Sequence, residues 1–203
     1  MNDPLEQLTE LLRKLPGIGP RQSRRLAFWF VRQRPSFIKE FSEALTNSRD
    51  SIHTCDSCKR LYPKQNGAVC KLCTNEARDG SVLMLVERDV DLENIEKTGS
   101  YRGKYFVLGG TTSPLDKEPN KKIRMSDLTK RLQDKNDTTE ELIFALSATT
   151  EGEDTIMYLE SELKDIIKKQ KLNVTKLGRG LSTGTELEYV DKETMSHALK
   201  GRS

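Results

Sequence analysis

The sequence contains no hydrophobic run long enough to cross a lipid bilayer. Its longest apolar run, residues 26–31, is far shorter than the about 20 residues that a spanning helix needs. The basic region of a secretory signal is also missing, since the acidic Asp3 and Glu6 stand near the first residue. We therefore expect a cytoplasmic protein with no membrane association.

The chain is also poor in apolar residues. Hydrophobic residues make up 34% of it and glycine adds 13 positions, which falls short of the usual apolar share of about 45–50%. We expect a thin core that a bound metal and contacts between subunits supplement. The length of 203 residues fits one large domain or two to three small modules.

A strong net charge is missing as well. The 34 basic residues are nearly balanced by 31 acidic ones, and the net charge is +3. A polyanion would therefore have to be bound by a local basic patch rather than by the protein as a whole.

Cysteine is scarce, and its spacing is informative. The four cysteines fall in two Cys-x-x-Cys motifs, formed by Cys55, Cys58, Cys70 and Cys73. Two such motifs can place four thiolates at the corners of a tetrahedron, the geometry of a structural zinc site with no vacant coordination position. Two disulfides or a redox motif are the alternatives. Zinc is favoured because no secretory signal precedes the cysteines and no strand-helix pattern surrounds either motif.

The first part of the chain predicts a small helical module over residues 1–53. A first helix is predicted to open at Pro4. A second is predicted over residues 21–34, with apolar side chains dense enough to bury most of its middle. Pro35 is predicted to close this second helix, and Ser36 to cap a third.

A glycine hairpin joins the first two predicted helices. Gly17 and Gly19 would allow a tight turn with positive φ that leaves backbone N–H groups uncovered beside a helix N-terminus, where a phosphate oxygen binds well. Basic side chains follow on the first turns of the second helix, at Arg21, Arg24 and Arg25. Together they predict sequence-independent binding to the DNA backbone. A plain turn between core helices with solvated arginines is the alternative.

Beyond the cysteines, the pattern alternates between strand and helix. Apolar runs predict strands at 82–86, 105–108, 142–146 and 174–177, and helical stripes predict helices at 91–97, 125–132 and 153–169. This order predicts a mostly parallel sheet covered on both faces, with functional residues beyond the C-terminal strand ends. A strand over 186–190 and a helix over 193–199 are expected in the tail.

Several segments, in this order, carry a resemblance to a known family. They are the hairpin Leu15-Pro16-Gly17-Ile18-Gly19-Pro20-Arg21, the four cysteines, the strand that ends at Val86-Glu87, the segments Tyr105-Phe106-Val107-Leu108-Gly109-Gly110 and Ser113-Pro114-Leu115-Asp116, and the tail segments 178–181 and 186–191. The chain resembles the RecR family of bacterial recombination mediators over essentially its whole length.

The resemblance implies an α/β multi-module protein. Its modules would be a helix-hairpin-helix DNA-binding module over 1–53, a four-cysteine zinc finger over 54–79, a Toprim parallel-sheet domain over 80–172, and a C-terminal strand and helix tail over 173–203 that contacts other subunits.

A Toprim domain raises the question of catalysis. Toprim enzymes hold Mg²⁺ with a glutamate after the first strand and a pair of aspartates after a later one. Glu87 matches the glutamate, but Ser147, Ala148 and Thr149 stand where the aspartate pair would be, and hydroxyl groups cannot replace two anionic ligands. A magnesium-dependent nuclease or primase-like enzyme is therefore the alternative function rather than the favoured one.

The favoured function follows from the family. RecR proteins are non-enzymatic rings, commonly tetramers, that clamp DNA and act with RecO, and in many bacteria RecF, to replace single-strand-binding protein with RecA at gaps. The resemblance implies that Arg21 and Arg25 face DNA and that Glu87, Asp91 and Glu151 contact RecO. A zinc-containing factor that acts on proteins alone is a further alternative.

Overall fold

Two units make up the chain, and the computed structural model describes residues 3–64, 67–178 and 180–201 of them. The helical unit comprises residues 1–52, and the sheet unit comprises residues 53–203. Arg179, which belongs to one tail segment of the predicted resemblance, lies outside the described residues. No described helix combines the length and the apolar character that crossing a bilayer requires.

The helical unit consists of α1 (Pro4–Arg13), α2 (Pro20–Val31) and α3 (Pro35–Ser51). Each helix begins with proline, whose fixed φ and missing N–H suit the first helical position. The prediction for Pro35 is therefore wrong, because this residue starts α3 instead of closing α2. Ser36 is not the cap of α3 either, since the N-cap position belongs to Arg34.

Burial within the helical unit is slight. The only buried residues of α2 are Ser23 and Ala27, and none is buried in α1 or α3. The predicted burial of the middle of α2 is wrong, because Trp29 is 47% exposed and Val31 67%. Three short helices bury little surface, and their aromatic rings pack mainly against one another, as Trp29 does edge to edge against Phe37 at a centroid distance of 5.6 Å.

The sheet unit begins with the segment that carries the cysteines. Its elements are a two-stranded sheet of β1 (Ile52–Thr54) and β2 (Leu61–Pro63), followed by the short helix α4 (Lys71–Thr74). The first Cys-x-x-Cys motif lies in the β1–β2 loop. The second begins at Cys70, the N-cap residue of α4.

A four-stranded parallel sheet forms the rest of this unit. Its elements along the chain are β3 (Asp79–Val86), α5 (Asp89–Thr98), β4 (Gly103–Val107), α6 (Pro119–Lys122), α7 (Met125–Leu132), β5 (Glu141–Ala145), α8 (Thr150–Glu162), α9 (Lys164–Gln170) and β6 (Asn173–Lys176). The strand order is β4-β3-β5-β6, and every pair is parallel. The predicted α/β class is confirmed.

The sheet is covered on both faces, as the continuous apolar strands predict. On one face Leu83, Leu85 and Phe106 pack with residues of α7, α8 and α9. On the other face Met84 and Tyr105 pack with residues of α5 and, through partly buried side chains, of α4. Parallel pairing brings the ends of β3 and β5 to the same edge, since Val86 is in register with Ala145.

Two predicted elements differ in the structure. The helix expected over 153–169 is divided at Leu163, which caps α8 and leads into α9; its apolar stripe is continuous, so the residues themselves give little sign of the division. The strand expected over 186–190 is instead a 3-10 helix, Leu187–Tyr189, whose apolar side chains are exposed. The last predicted helix is present as α10 (Lys192–Lys200).

Candidate nucleic-acid interface and metal centre

The four cysteines converge on one point. Their Sγ atoms all lie within 4.8 Å of one another, with 3.9 Å between Cys55 and Cys73 and 3.6 Å between Cys58 and Cys70. A regular tetrahedron with Zn–S bonds of about 2.3 Å has S–S edges of about 3.8 Å. The thiol arrangement therefore fits zinc, and all four cysteines are free rather than joined in disulfides.

The surroundings of the thiols also suit a metal. Cys55, Cys58 and Cys70 are buried, and the backbone N–H of Cys70 donates to Cys55 Sγ at 3.3 Å. Hydrogen bonds from neighbouring thiols, that of Cys58 first, lower the pKa of Cys55. The same contacts raise the pKa of Cys58 and Cys73, that with Cys55 first, so the four thiols share their protons. A bound cation is needed for all four to become the thiolate ligands that zinc requires. The predicted structural Zn²⁺ site is confirmed as a closed four-cysteine centre that offers no position for substrate.

Arginine side chains fasten this zinc segment to the edge strand β4. Nη1 of Arg131 donates to Ser57 O at 3.3 Å and Tyr105 O at 2.8 Å. Nη1 of Arg124 donates to Lys59 O and Val107 O, both at 3.0 Å. Each guanidinium therefore joins the β1–β2 loop to a carbonyl of β4. Sequence reasoning missed these contacts, because an arginine in an amphipathic helix usually indicates a solvated face.

Further bonds close the same edge. Val107 N donates to Cys58 O at 2.8 Å, and Arg78 Nε donates to Gly103 O at 2.9 Å. Arg78 also forms an ion pair with Glu96, with its Nη2 2.6 Å from Oε1. An edge strand with unpaired groups is a site for unwanted pairing, and here the zinc segment and three arginines occupy those groups.

The glycine hairpin lies between α1 and α2. Gly17 has φ of +76°, as predicted, and Ile18 N donates to Leu15 O at 3.2 Å. Gly19 differs from the prediction, because its φ is −83°. It is the N-cap of α2 and has no side chain to cap the first turn.

The three predicted arginines share one region of α2. Arg24 and Arg25 lie three and four residues after Arg21, so each is next to Arg21 on the helix surface, and all three are exposed. The first turn of α2 contains no acidic residue. Among the ion pairs recorded for the described residues, none involves these arginines, so their charges face solvent.

The predicted acidic residues do not form a group arranged to hold a metal ion within the described residues. Glu87 follows β3 as expected, yet it is only 6% exposed, and its Oε1 accepts from Ser147 N at 2.6 Å. Asp91 lies in the first turn of α5, where Oδ2 accepts from Arg88 N at 2.8 Å. Glu151 is exposed in the first turn of α8. Glu87 thus positions the loop after β5 instead of presenting an open carboxylate.

The loop after β5 is tightly closed on α8. Thr149 Oγ1 accepts from Gly152 N at 3.2 Å and caps the helix. A Cβ at Gly152 would lie 2.0 Å from Ser147 O, so only glycine fits there. Within the described residues, the four cysteines are the one group of three or more side chains arranged to hold a metal ion. The carboxylates near Glu87 do not form a second such group.

Comparison with known proteins shows to which family the chain is related. Proteins named recombination protein RecR from Lactobacillus helveticus and Chlorobium phaeobacteroides are each 38% identical to this chain, and one from Enterococcus faecalis is 36% identical. Each alignment covers 98% of this chain and 96% of the relative. The chain belongs to the RecR family. The resemblance predicted from the hairpin, the cysteines and the strand ends is confirmed.

Family models match the chain segment by segment. The RecR helix-hairpin-helix model matches residues 5–49, the Toprim domain model matches residues 81–178, and the RecR C-terminal model matches residues 180–203. A treble clef zinc finger model matches residues 46–78. The matches agree with a recombination protein that carries a DNA-binding helix-hairpin-helix module and a structural zinc finger.

Proposed function

We propose that this RecR-family protein is a recombination mediator in DNA repair that binds the DNA backbone without reading base sequence. It acts with RecO, and with RecF, to load RecA on single-stranded or gapped DNA. The observation that carries the proposal is the exposed arginine face at the start of α2, beside the positive-φ turn at Gly17.

The chemistry of that face supports phosphate binding. Three guanidinium groups lie within one to two turns of a helix N-terminus, and the peptide dipoles add partial positive charge there. Gly17 and Gly19 present backbone close to the same end of the helix without Cβ atoms. Such contacts neutralise phosphates and carry no base information.

The acidic residues of the sheet unit have a different proposed role. Asp91 and Glu151 mark the first turns of α5 and α8 and offer carboxylates to a basic partner, which we take to be RecO. Glu87 would act on docking indirectly, because its buried carboxylate accepts a hydrogen bond from Ser147 N and holds it in place. Its substitution would alter docking through the loop after β5.

An assembly of several copies is part of the proposal. The exposed apolar side chains of α3, among them Phe41 and Leu45, and the exposed tail at Leu187 and Tyr189 supply surface that contacts between copies would cover. A tetrameric ring is the expected form. Sedimentation with and without gapped DNA and RecO measures it directly, and a monomer in all mixtures would contradict it.

We also propose that the protein is an adaptor and not an enzyme. The Glu87 carboxylate is engaged with a backbone N–H, and residues 147–149 supply no carboxylate for Mg²⁺. Incubation of labelled DNA with Mg²⁺ should leave the strands intact. Cleavage that disappears in Glu87→Gln would establish the alternative phosphoryl-transfer function.

The DNA-binding proposal is tested by charge reversal. Arg21→Glu combined with Arg25→Glu should weaken binding at low salt to a similar extent for unrelated DNA sequences, because only phosphate contacts are lost. Arg34→Glu combined with Arg49→Glu is the matched control, since both residues are exposed in the helical unit away from the hairpin. Equal affinities for the two double variants would refute the proposal.

A further inference from the structure

An open groove runs along α2 beside the hairpin. Its volume is about 770 Å³, and it is lined by apolar, basic and amide side chains, among them Ile18, Gln22, Arg25, Phe28, Trp29 and Arg32. Of the residues that the structure describes, no acidic one lines the groove. The groove therefore combines aromatic surface with positive charge only.

The spacing of the lining residues orders these groups along one face of the helix. Arg25, Trp29 and Arg32 are separated by four and three residues, so each is next to the following one on the surface of α2. Trp29 is 47% exposed and Phe28 42%. An indole with a guanidinium on either side along the helix is thus open to solvent.

The position of Trp29 is also fixed from within the unit. Its ring makes edge contacts with Phe30 at a centroid distance of 5.1 Å and with Phe37 at 5.6 Å, and its backbone carbonyl accepts from Gln33 Nε2 at 3.0 Å. The two ring contacts restrict the indole, while the bond to its carbonyl restrains only the backbone. A fixed aromatic surface loses little conformational entropy when a flat ligand stacks on it.

We propose that this groove is a stacking site for unpaired nucleobases of single-stranded DNA, with Trp29 as the stacking surface and Arg25 and Arg32 as contacts for the adjoining phosphates. The inference rests on the proposed function, because Arg25 belongs to both surfaces and the strand reaches the groove from the hairpin. Single-strand binding proteins use this combination of aromatic rings and a basic groove. Bases in a duplex are already stacked on each other, so the site selects unpaired DNA.

The charge of the groove decides between occupants. Two arginines without an acidic neighbour suit a polyanion that carries flat rings. A second copy of this chain would have to bring carboxylates to the same place, since otherwise the two guanidinium groups would lose solvent without a partner. Single-stranded DNA satisfies both the rings and the charges.

The test uses the full-length protein and its own fluorescence. Trp29 is the only tryptophan in the chain, so its emission reports on the groove alone. Oligothymidylate is compared with an abasic deoxyribose-phosphate strand of the same length, which has the same phosphates and no bases. We expect oligothymidylate to quench the Trp29 emission and to bind more tightly than the abasic strand. The abasic strand should leave the emission unchanged.

Variants separate stacking from phosphate binding. Trp29→Ala should lower the affinity for oligothymidylate about fivefold or more and bring it to that of the abasic strand, whereas Trp29→Phe should restore most of the difference. Val31→Ala is the control, because Val31 is exposed on the same helix and does not line the groove. Circular dichroism and zinc content confirm that each variant is folded.

Each contrary outcome has a distinct meaning. Equal binding of both strands by the wild type, with unchanged emission, overturns the stacking site and leaves the proposed function standing. Absence of binding to every strand at low salt overturns both. If Trp29→Ala instead dissociates the protein assembly in sedimentation and the strands bind equally to the wild type, the groove is an interface between copies and the proposal is wrong.

Discussion

The helical unit and the sheet unit distribute their apolar side chains in opposite ways. In the sheet unit, Phe106, Leu85 and Leu142 are fully buried between the sheet and the helices on one of its faces. In the helical unit, Phe28 and Trp29 remain exposed to nearly half of their full extent. The sheet unit is thus stabilised by its own core, while the helical unit leaves aromatic and basic side chains exposed. A change that destabilises one unit should leave the properties of the other unit unaltered.

Removal of zinc should have the largest effect. Structural zinc contributes an apparent free energy of about 10–16 kcal/mol in isolated zinc-finger peptides, and here the metal site also holds the β1–β2 loop against β4. Chelation, or Cys58→Ser, should abolish bound zinc and lower the melting temperature of the sheet unit strongly. Metal content and calorimetry measure this, and an unchanged transition after complete chelation would contradict it.

A buried aromatic ring should matter more than an exposed one. Phe106→Ala removes a fully buried side chain from the sheet core and should cost about 3–5 kcal/mol of stability. Phe41→Ala removes the same side chain from the helical unit, where it is 42% exposed, and should cost far less. Denaturant unfolding compares the two variants, and equal losses would refute the contrast between the units.

The arginine contacts at β4 should have an intermediate effect. Arg124→Met leaves Lys59 O and Val107 O without their donor and should cost about 1.5–3 kcal/mol, the range for hydrogen bonds to charged groups. Amide exchange should quicken in β4 and in the β1–β2 loop. Arg102→Met is a suitable control, because this exposed arginine lies just before β4. Equal amide exchange rates in β4 and in the β1–β2 loop of the two variants would show that the Arg124 contacts do not stabilise this edge of the sheet.

The loss at acid pH of the stability that Glu96 contributes should be the smallest effect. Burial, the largest single influence, raises the pKa of Glu96, but hydrogen bonds from Arg78 and Tyr105 outweigh it and lower the pKa below its ordinary value of 4.5. A carboxyl with a lowered folded-state pKa stabilises the protein above its unfolded-state pKa, and this contribution is lost as the pH falls through the folded-state value.

The corresponding experiment compares wild type with Glu96→Gln across the acid range. The stability difference should be present at neutral pH and should shrink as the pH falls below about 4.5. Thermal melts from about pH 3 to pH 7 measure it. A difference that stays constant over this range would show that the charge of Glu96 does not contribute.

The sequence predicts best where one local pattern has one physical solution. Short apolar runs that alternate along the chain with helical stripes favour buried parallel strands, so the parallel sheet is evident from residues such as 82–86. Four cysteines in two short motifs likewise leave few alternatives to zinc. Gly17 requires a turn with positive φ, and the structure has it. In each case the pattern can be recognised within one or two short segments of the chain.

The failures arise where distant residues decide. The many apolar residues of α2 predict that this helix is buried. They do not reveal that three short helices supply too little surface to cover Trp29. The alternating residues 186–190 favour a strand, but the structure gives them no neighbouring strand and they form a 3-10 helix. Glu87 is buried because Ser147 lies at the adjacent strand end, and Arg124 binds carbonyl groups that are far from it in sequence.

The salt dependence of DNA binding tests the central claim most directly, namely that the arginines of α2 bind phosphates. The logarithm of the binding constant should fall linearly with the logarithm of salt concentration, and each lost phosphate contact should reduce the slope by roughly 0.7–0.9. Arg21→Glu combined with Arg25→Glu should therefore give a slope shallower by roughly 1.4–1.8 than that of the wild type. Equal slopes for the two proteins would contradict the account.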